Sequence, residues 1–186
     1  MPQPLDLAGH GMLALTRSSL ATLRTALLRD GGPDAAVYLQ EAGYAGGDAM
    51  WAAFKRWLAE RSDIAAEALD VASFEQRATE FFRDAGWGSI TVGSISDVVA
   101  TLDSSDWGES DPETSMEHPC CHLTTGMFAD LFGRVAGAPV AVLEVECRSS
   151  GAPRCRFLVG NPSVMEQIYD DMGRGLPYED AISACA

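Results

Sequence analysis

Four residues of this chain have the chemical types and the spacing to enclose a soft metal ion: Cys121, Glu144, Cys147 and Cys155. The last three fall within Val-Leu-Glu-Val-Glu-Cys-Arg-Ser-Ser-Gly-Ala-Pro-Arg-Cys-Arg-Phe, residues 142–157, and Cys121 follows His-Pro-Cys upstream. Thiolates and a carboxylate suit zinc, which takes such ligands in a tetrahedron and makes no redox demand on them. Cys147 and Cys155 flank Gly151-Ala152-Pro153, so closure of a hairpin alone brings the two thiols together. Glu144 and Cys147 are three positions apart and would point to opposite faces of a regular strand. The site therefore demands a bulge or a strand end between them. Some choices stay open on the residues alone. Cys120 can stand in for Cys121, Glu146 is a second carboxylate, and His118 or His122 can replace one ligand. Two buried free thiols or a cross-strand disulfide are the alternatives to a metal.

The elements that must hold these groups can be read from periodicity and punctuation. Leu13, Leu15, Leu20, Leu23, Leu27 and Leu28 recur near helical spacing, and Asp30-Gly31-Gly32-Pro33 ends that helix. A second helix is expected from Pro33 to Gly43. A third runs from Ala49 to Glu60 after Gly46-Gly47-Asp48, and a fourth from Asp70 to Ala85 with Ser73 as a candidate cap. Ser89–Val92 and Ile95–Leu102 are β-branched and predict two strands joined near Gly93-Ser94. Residues 103–117 hold six acids and no base, which predicts a solvated loop with Trp107 as a plug against the body. A helix over Leu123–Val135, strands over Val140–Cys147 and Arg154–Val159, and a helix opening at Asn161-Pro162 complete the order. This pattern predicts one α+β domain, a four-stranded, mostly antiparallel sheet covered by helices on one side. Its expected limits are a flexible N-terminus over 1–11, a single domain over 12–172, and a loose tail over 173–186.

Composition narrows the function. A net charge of −14, with Lys55 the single lysine, argues against a nucleic-acid partner, which needs clustered Lys and Arg. No apolar run approaches the roughly 18–20 residues that span a bilayer, and no basic segment precedes an apolar one at the N-terminus. Five cysteines without an export signal favour metal binding over a disulfide framework, and a cytoplasmic location is expected. The three histidines, His10, His118 and His122, assemble no Ser-His-Asp arrangement, and no Gly-x-Gly-x-x-Gly fingerprint or ferredoxin-type cysteine run is present. No catalytic residue is assigned.

Cys121 followed by Gly126, then Glu144-x-x-Cys147-x-x-x-Gly151-x-x-x-Cys155-x-Phe157, resembles the 4-vinyl reductase domain family. That small-molecule-binding module also occurs in the sensory region of phenol-responsive bacterial activators. Gln40–Gly47 and Phe81–Gly88 are similar to the family's helix ends, so the resemblance covers roughly residues 12–172. It implies a TRAPP-like ligand-binding fold, helices on an antiparallel sheet, and a homodimer. It also implies a zinc ion held by three cysteines and a glutamate, which carries over onto Cys121, Glu144, Cys147 and Cys155. Four protein ligands leave no open position, so that zinc would be structural. No AAA+ or DNA-binding segment follows, so the chain is not expected to be an activator itself.

The same resemblance implies an apolar pocket between helices and sheet. Its expected lining is Trp51, Phe54, Phe81, Trp107, Phe128 and Phe132, with Phe74 and Trp87 beside them and His118, Tyr38 and Tyr44 as polar anchors. The expected function is a zinc-containing binding protein, sensor or carrier, for a hydrophobic or aromatic small molecule. The alternative is a bacteriochlorophyll-pathway protein, a tetrapyrrole carrier or 4-vinyl reductase accessory.

Overall fold

The structure is a computed structural model and describes residues 6, 7, 9 and 11–185. Most of the N-terminus expected to be flexible, His10 included, lies outside the described residues.

Three helices open the fold: α1 (Arg17–Asp30), α2 (Ala35–Ala59) and α3 (Val71–Asp84). Thr16 starts α1 by accepting from the Ser19 N–H, so Leu13 and Leu15 lie in the extended segment before the helix. Asp70, not Ser73, caps α3, accepting from the Ser73 N–H at 2.7 Å. Helix α2 corrects the expected pair of helices. It runs unbroken through Gly43, Gly46 and Gly47, because two of these glycines are contact points and not breaks. A Cβ on Gly43 would sit 1.9 Å from the Leu123 carbonyl oxygen, and one on Gly47 would sit 2.2 Å from the Asp130 carboxylate. The partner is α4 (His122–Ala136), whose Gly126 lies equally close to the Gln40 carbonyl. The α2–α4 crossing is the most extensive helix–helix contact in the molecule, and it depends on the absence of these side chains.

The strands are β1 (Thr91–Ser94), β2 (Val99–Ser104), β3 (Ala141–Glu146) and β4 (Cys155–Gly160). They form one antiparallel sheet in the order β1-β2-β4-β3. The first hairpin turns at residues 95–98, later than expected. There the Ile95 N–H donates to the Val99 carbonyl, and Ile95 and Val98 are exposed. Helices cover both faces of the sheet, which corrects the one-sided expectation. Successive residues of a strand face opposite ways. Phe157 accordingly joins the large core under α2, α3 and α4, while Leu158 joins a second core. That second core is closed by α5 (Pro162–Gly173) and α6 (Tyr178–Ala184). Asn161 caps α5 with Pro162 in its first turn, as expected. The segment 173–186 was expected to be loose, but α6 buries Ala181 and Ile182 against the sheet.

Candidate functional site

The β3–β4 hairpin positions three of the four metal-ligand candidates. β3 pairs with β4 in simple register as far as Glu144 opposite Phe157, after which Glu146 lies opposite Arg156. Val145 is the extra residue of a bulge, and β3 ends at Glu146. The Glu144-to-Cys147 step thus contains both irregularities that the spacing demanded. A 3-10 turn over Arg148–Ser150, closed by Gly151 at φ 90°, then returns the chain to Cys155. A left-handed residue of this kind favours glycine. Cys121 arrives from outside the hairpin as the residue immediately before α4.

The four groups converge. Cys121, Glu144, Cys147 and Cys155 are all buried, and one ligand atom from each lies within 4.8 Å of all the others. The cluster can hold a metal ion. Two observations test the fit. The Sγ atoms of Cys121 and Cys147 are 3.7 Å apart. Two thiolates at about 2.3 Å from one tetrahedral ion are separated by about 3.8 Å. Glu144 accepts from the Cys121 N–H through Oε2 at 2.7 Å, while its Oε1 is buried with no hydrogen-bond partner among the described residues. A buried, unpartnered carboxylate oxygen is costly unless something else meets it. Both observations suit an ion at the centre.

Electrostatics point the same way. Cys147 is held far below the ordinary thiol range by hydrogen bonds from the thiols of Cys120, Cys121 and Cys155. Burial, then the bonds to Cys147 and Cys155, push Cys121 well up, and burial together with the Cys147 charge raises Glu144. At Cys155 the bond with Cys121 pulls downward, but Cys147 and burial outweigh it and leave the thiol at about 12. Acidic groups competing this strongly for one charge are what a dication relieves. Cys120 is buried and hydrogen-bonds to Cys147 but stands outside the four. Glu146 turns away to pair with Arg154 at 2.9 Å and to accept from the Tyr178 hydroxyl at 2.6 Å.

Beside the cluster lies a buried polar arrangement that periodicity did not announce. Glu109 belongs to the acidic stretch expected to be solvated, yet it is only 1% exposed. It accepts from the N–H groups of Leu123 and Thr124 at 3.1 and 2.7 Å and from the Thr124 hydroxyl, so it caps α4 from a distant loop. Burial lifts its pKa to about 7, against the opposing pull of these bonds and of Arg24. Trp107 is fully buried and donates to Thr124 Oγ1 at 2.7 Å, which makes it the expected plug. Arg24 of α1, also fully buried, donates to the Glu109 carbonyl and to Ser149 Oγ in the β3–β4 turn. These contacts tie the first helix to the hairpin that carries the cluster.

The expected ligand-binding rings lie elsewhere. Trp51, Phe54, Phe81, Trp107, Phe128 and Phe132 form one continuous set of ring contacts in the main core, for example 5.6 Å from Trp51 to Phe54 and 5.1 Å from Trp107 to Phe128. Aromatics at helical spacing here pack on one another. The His118 side chain is 81% exposed, and Tyr38 and Tyr44 also face outward. None of these residues lines the large cavity found among the described residues, a space of about 380 Å³. Its walls are the segment before α1, the glycine-bearing face of α2, the Ala85–Trp87 turn, Gly108, and Leu123 and Met127 of α4. Trp87 is the one candidate ring that does line it. Glycines in the middle of α2 were the available signal, since a helix face without side chains leaves room beside it.

Residues 110–161 match the family model of the vinyl-4-reductase (V-4-R) domain. The chain carries a vinyl-4-reductase domain. All four cluster residues fall inside that stretch, whereas the cavity lining, apart from Leu123 and Met127, precedes it. Over 80 residues the chain is 28% identical to an uncharacterized protein of Methanocaldococcus jannaschii, a stretch that is 43% of this chain and 42% of that protein. The chain thus matches less than half the length of that relative. Among solved structures it is similar to the phenol-responsive sensory domain of the transcription activator PoxR, determined with phenol. There the TM-score is 0.59 at 19% identity, over 81% of this chain and 76% of that one. It is also similar to a trafficking protein particle complex subunit 3 from Naegleria fowleri, covalently bound to palmitic acid. There the TM-score is 0.55 at 14% identity, over 77% of this chain and 91% of that one. At these identities the likeness is one of fold, and the fold is the expected TRAPP-like one.

Proposed function

We propose that this protein is a zinc-braced binding module for a hydrophobic small molecule, acting as a sensor or carrier and not through chemistry at the metal. The observation that carries the reading is the position of α4. Its first residues follow Cys121 of the cluster, and one turn later Leu123 and Met127 wall the cavity. Zinc held by Cys121, Glu144, Cys147 and Cys155 would fix the start of that helix against the hairpin. Four protein donors would leave it no place for a substrate. When bound it supplies charge neutralisation and cross-linking, and the surrounding residues do the rest. Glu109 and Thr124 hold the helix N-terminus, and the Gly43–Gly126 crossing sets the distance between the two helices beside the cavity. A vinyl-4-reductase domain and a fold shared with a phenol-sensing domain support a small-molecule role. The cavity volume falls in the range of ligand sites.

Two further parts of the reading stand with it. Pairing as a homodimer would cover apolar side chains that α1 and α2 leave exposed, among them Leu23, Val37 and Tyr38. A cytoplasmic site suits free, buried cysteines. Native mass spectrometry of freshly purified protein, with elemental analysis, tests the whole. One zinc per chain, a retained organic ligand and a dimer mass are expected. Absence of zinc, together with unchanged thermal stability in a strong chelator, would refute the brace. A Soret-region band on titration with a chlorophyllide precursor would give the cavity to a tetrapyrrole instead.

A further inference from the structure

The chemistry of the cavity lining is one-sided. The chain carries 27 acidic and 13 basic residues, yet the lining holds no acid, hydroxyl, amide or imidazole side chain. Apart from leucine, methionine, alanine and glycine it contains only Arg17 and Trp87. The side-chain hydrogen-bonding groups of the lining are therefore a guanidinium and an indole, and both can only donate. Among the described residues Arg17 has no carboxylate partner. It donates through Nη1 to the Asp106 carbonyl and through Nη2 to the Gly86 carbonyl, both at 3.0 Å. These two bonds anchor the head of Arg17 beside the cavity wall and leave its charge unmatched. Its approach also depends on Gly108, where a Cβ would come within 3.4 Å of Arg17 Nε and 3.0 Å of the Trp87 carbonyl. The remaining walls suit a flexible chain better than a plane of rings. Met12, Met50 and Met127 are unbranched, adaptable side chains, and Gly43 and Gly46 present bare backbone.

We propose that the cavity takes a linear amphipathic anion, an aliphatic carboxylate with its chain among the leucines and methionines and its head on Arg17. This rests on the reading of the cavity as a ligand site and names the class of its ligand. A neutral alkane or alcohol would leave the guanidinium charge unmatched. An alkylammonium would meet like charge and no acceptor side chain.

Isothermal titration of the full-length protein with octanoate, 1-octanol and octyltrimethylammonium tests this with one tail and three heads. Octanoate is expected to bind at least tenfold more tightly than octanol, as a charge-assisted hydrogen bond does, and the ammonium is expected not to bind. Hexanoate should bind more weakly than octanoate by roughly fourfold per missing methylene. Arg17→Gln should reduce octanoate to the affinity of octanol without changing octanol, and Arg17→Lys should retain most of the preference. Equal binding of octanoate and octanol would overturn the anion and leave a hydrophobic site standing, as would an octanoate preference that survives Arg17→Gln. Failure of all three probes, with phenol also unbound, would overturn the ligand site and this inference with it. The comparison of heads on the wild-type protein does not depend on how well either Arg17 variant folds.

Discussion

The thiol–carboxylate cluster takes all its groups from one stretch, Cys121 to Cys155, whereas the cavity is lined from Leu7 through Met127. The first is built from residues that have little other reason to meet. The second is built from residues with no chemical mark of their own. The cluster falls wholly inside the segment that matches the vinyl-4-reductase domain, and most of the cavity precedes it. A molecule arranged in this way can keep one brace and change the ligand by altering the helices before it. The comparison is sharpest at α4, which belongs to both regions.

The largest effect should come from breaking the brace. Cys147→Ser, Cys121→Ser and Cys155→Ser should each abolish metal binding and lower stability by about 3–5 kcal/mol, since each leaves buried charge without its partner. For a domain of this size that is on the order of 10 °C in melting temperature. Cys120→Ser should keep the metal, because Cys120 lies outside the group of four. Elemental analysis and calorimetry on the four variants decide the assignment. Loss of metal in Cys120→Ser with retention in Cys121→Ser would reverse it.

Glu109 lies between the two regions and should show itself through pH. Its folded pKa, about 7, is raised above its ordinary value of 4.5 by burial. The native state therefore holds a proton that the unfolded chain gives up between those values. The stability this contributes is fully present below pH 4.5 and is lost as pH rises to 7, by up to about 3 kcal/mol. Urea stabilities of wild type and Glu109→Gln, compared at each pH, should differ by an amount that falls across this window. Loss of metal in acid affects both proteins and cancels in the difference. A flat difference curve would remove Glu109 from the pH response.

The two regions also differed in how much of them could be read in advance. Cys121, Glu144, Cys147 and Cys155 could be paired because thiols and carboxylates have few structural uses in common. Their three-residue step even required the irregular strand that Val145 supplies. The strand order and the Asn161 cap followed from equally local rules. The cavity did not, because leucine, methionine and glycine look the same in a wall as in a core. Gly43 and Gly47 were read as ends of helices when they are points of contact with α4. The six aromatic candidates satisfy one another in the interior. Arg24 and Glu109, both buried, come from a helix and a loop whose patterns suggested solvent. Pattern reports which face of an element is apolar, but not which polar residue the rest of the chain will enclose.

The helix crossing gives the next effect in size. Gly126→Ala and Gly43→Ala each place a methyl group 1.9 Å from a backbone carbonyl oxygen on the facing helix, where no flexible side chain can yield. The helices must separate, at a cost of about 1–3 kcal/mol, and Leu123 and Met127 move with α4. Urea denaturation should show the loss, and octanoate titration should show an altered affinity while metal content stays at the wild-type value. If metal were lost as well, the cluster and the crossing would form one cooperative unit and the division between brace and cavity would fail.

Gly46 provides the smallest effect and the most selective test. It lies in the same helix, three residues from Gly43, yet nothing stands within 4 Å of the Cβ it lacks. Gly46→Ala should therefore raise stability by roughly 0.5–1 kcal/mol, the ordinary gain of alanine over glycine inside a helix. Because Gly46 also lines the cavity, the added methyl group occupies ligand space without touching α4. Stability and binding should then move in opposite directions, with a higher melting temperature and weaker octanoate binding at unchanged metal content. At Gly43 both should be disturbed together. A loss of stability at Gly46 would mean that α2 approaches another surface there, and the cavity could no longer be placed along that face.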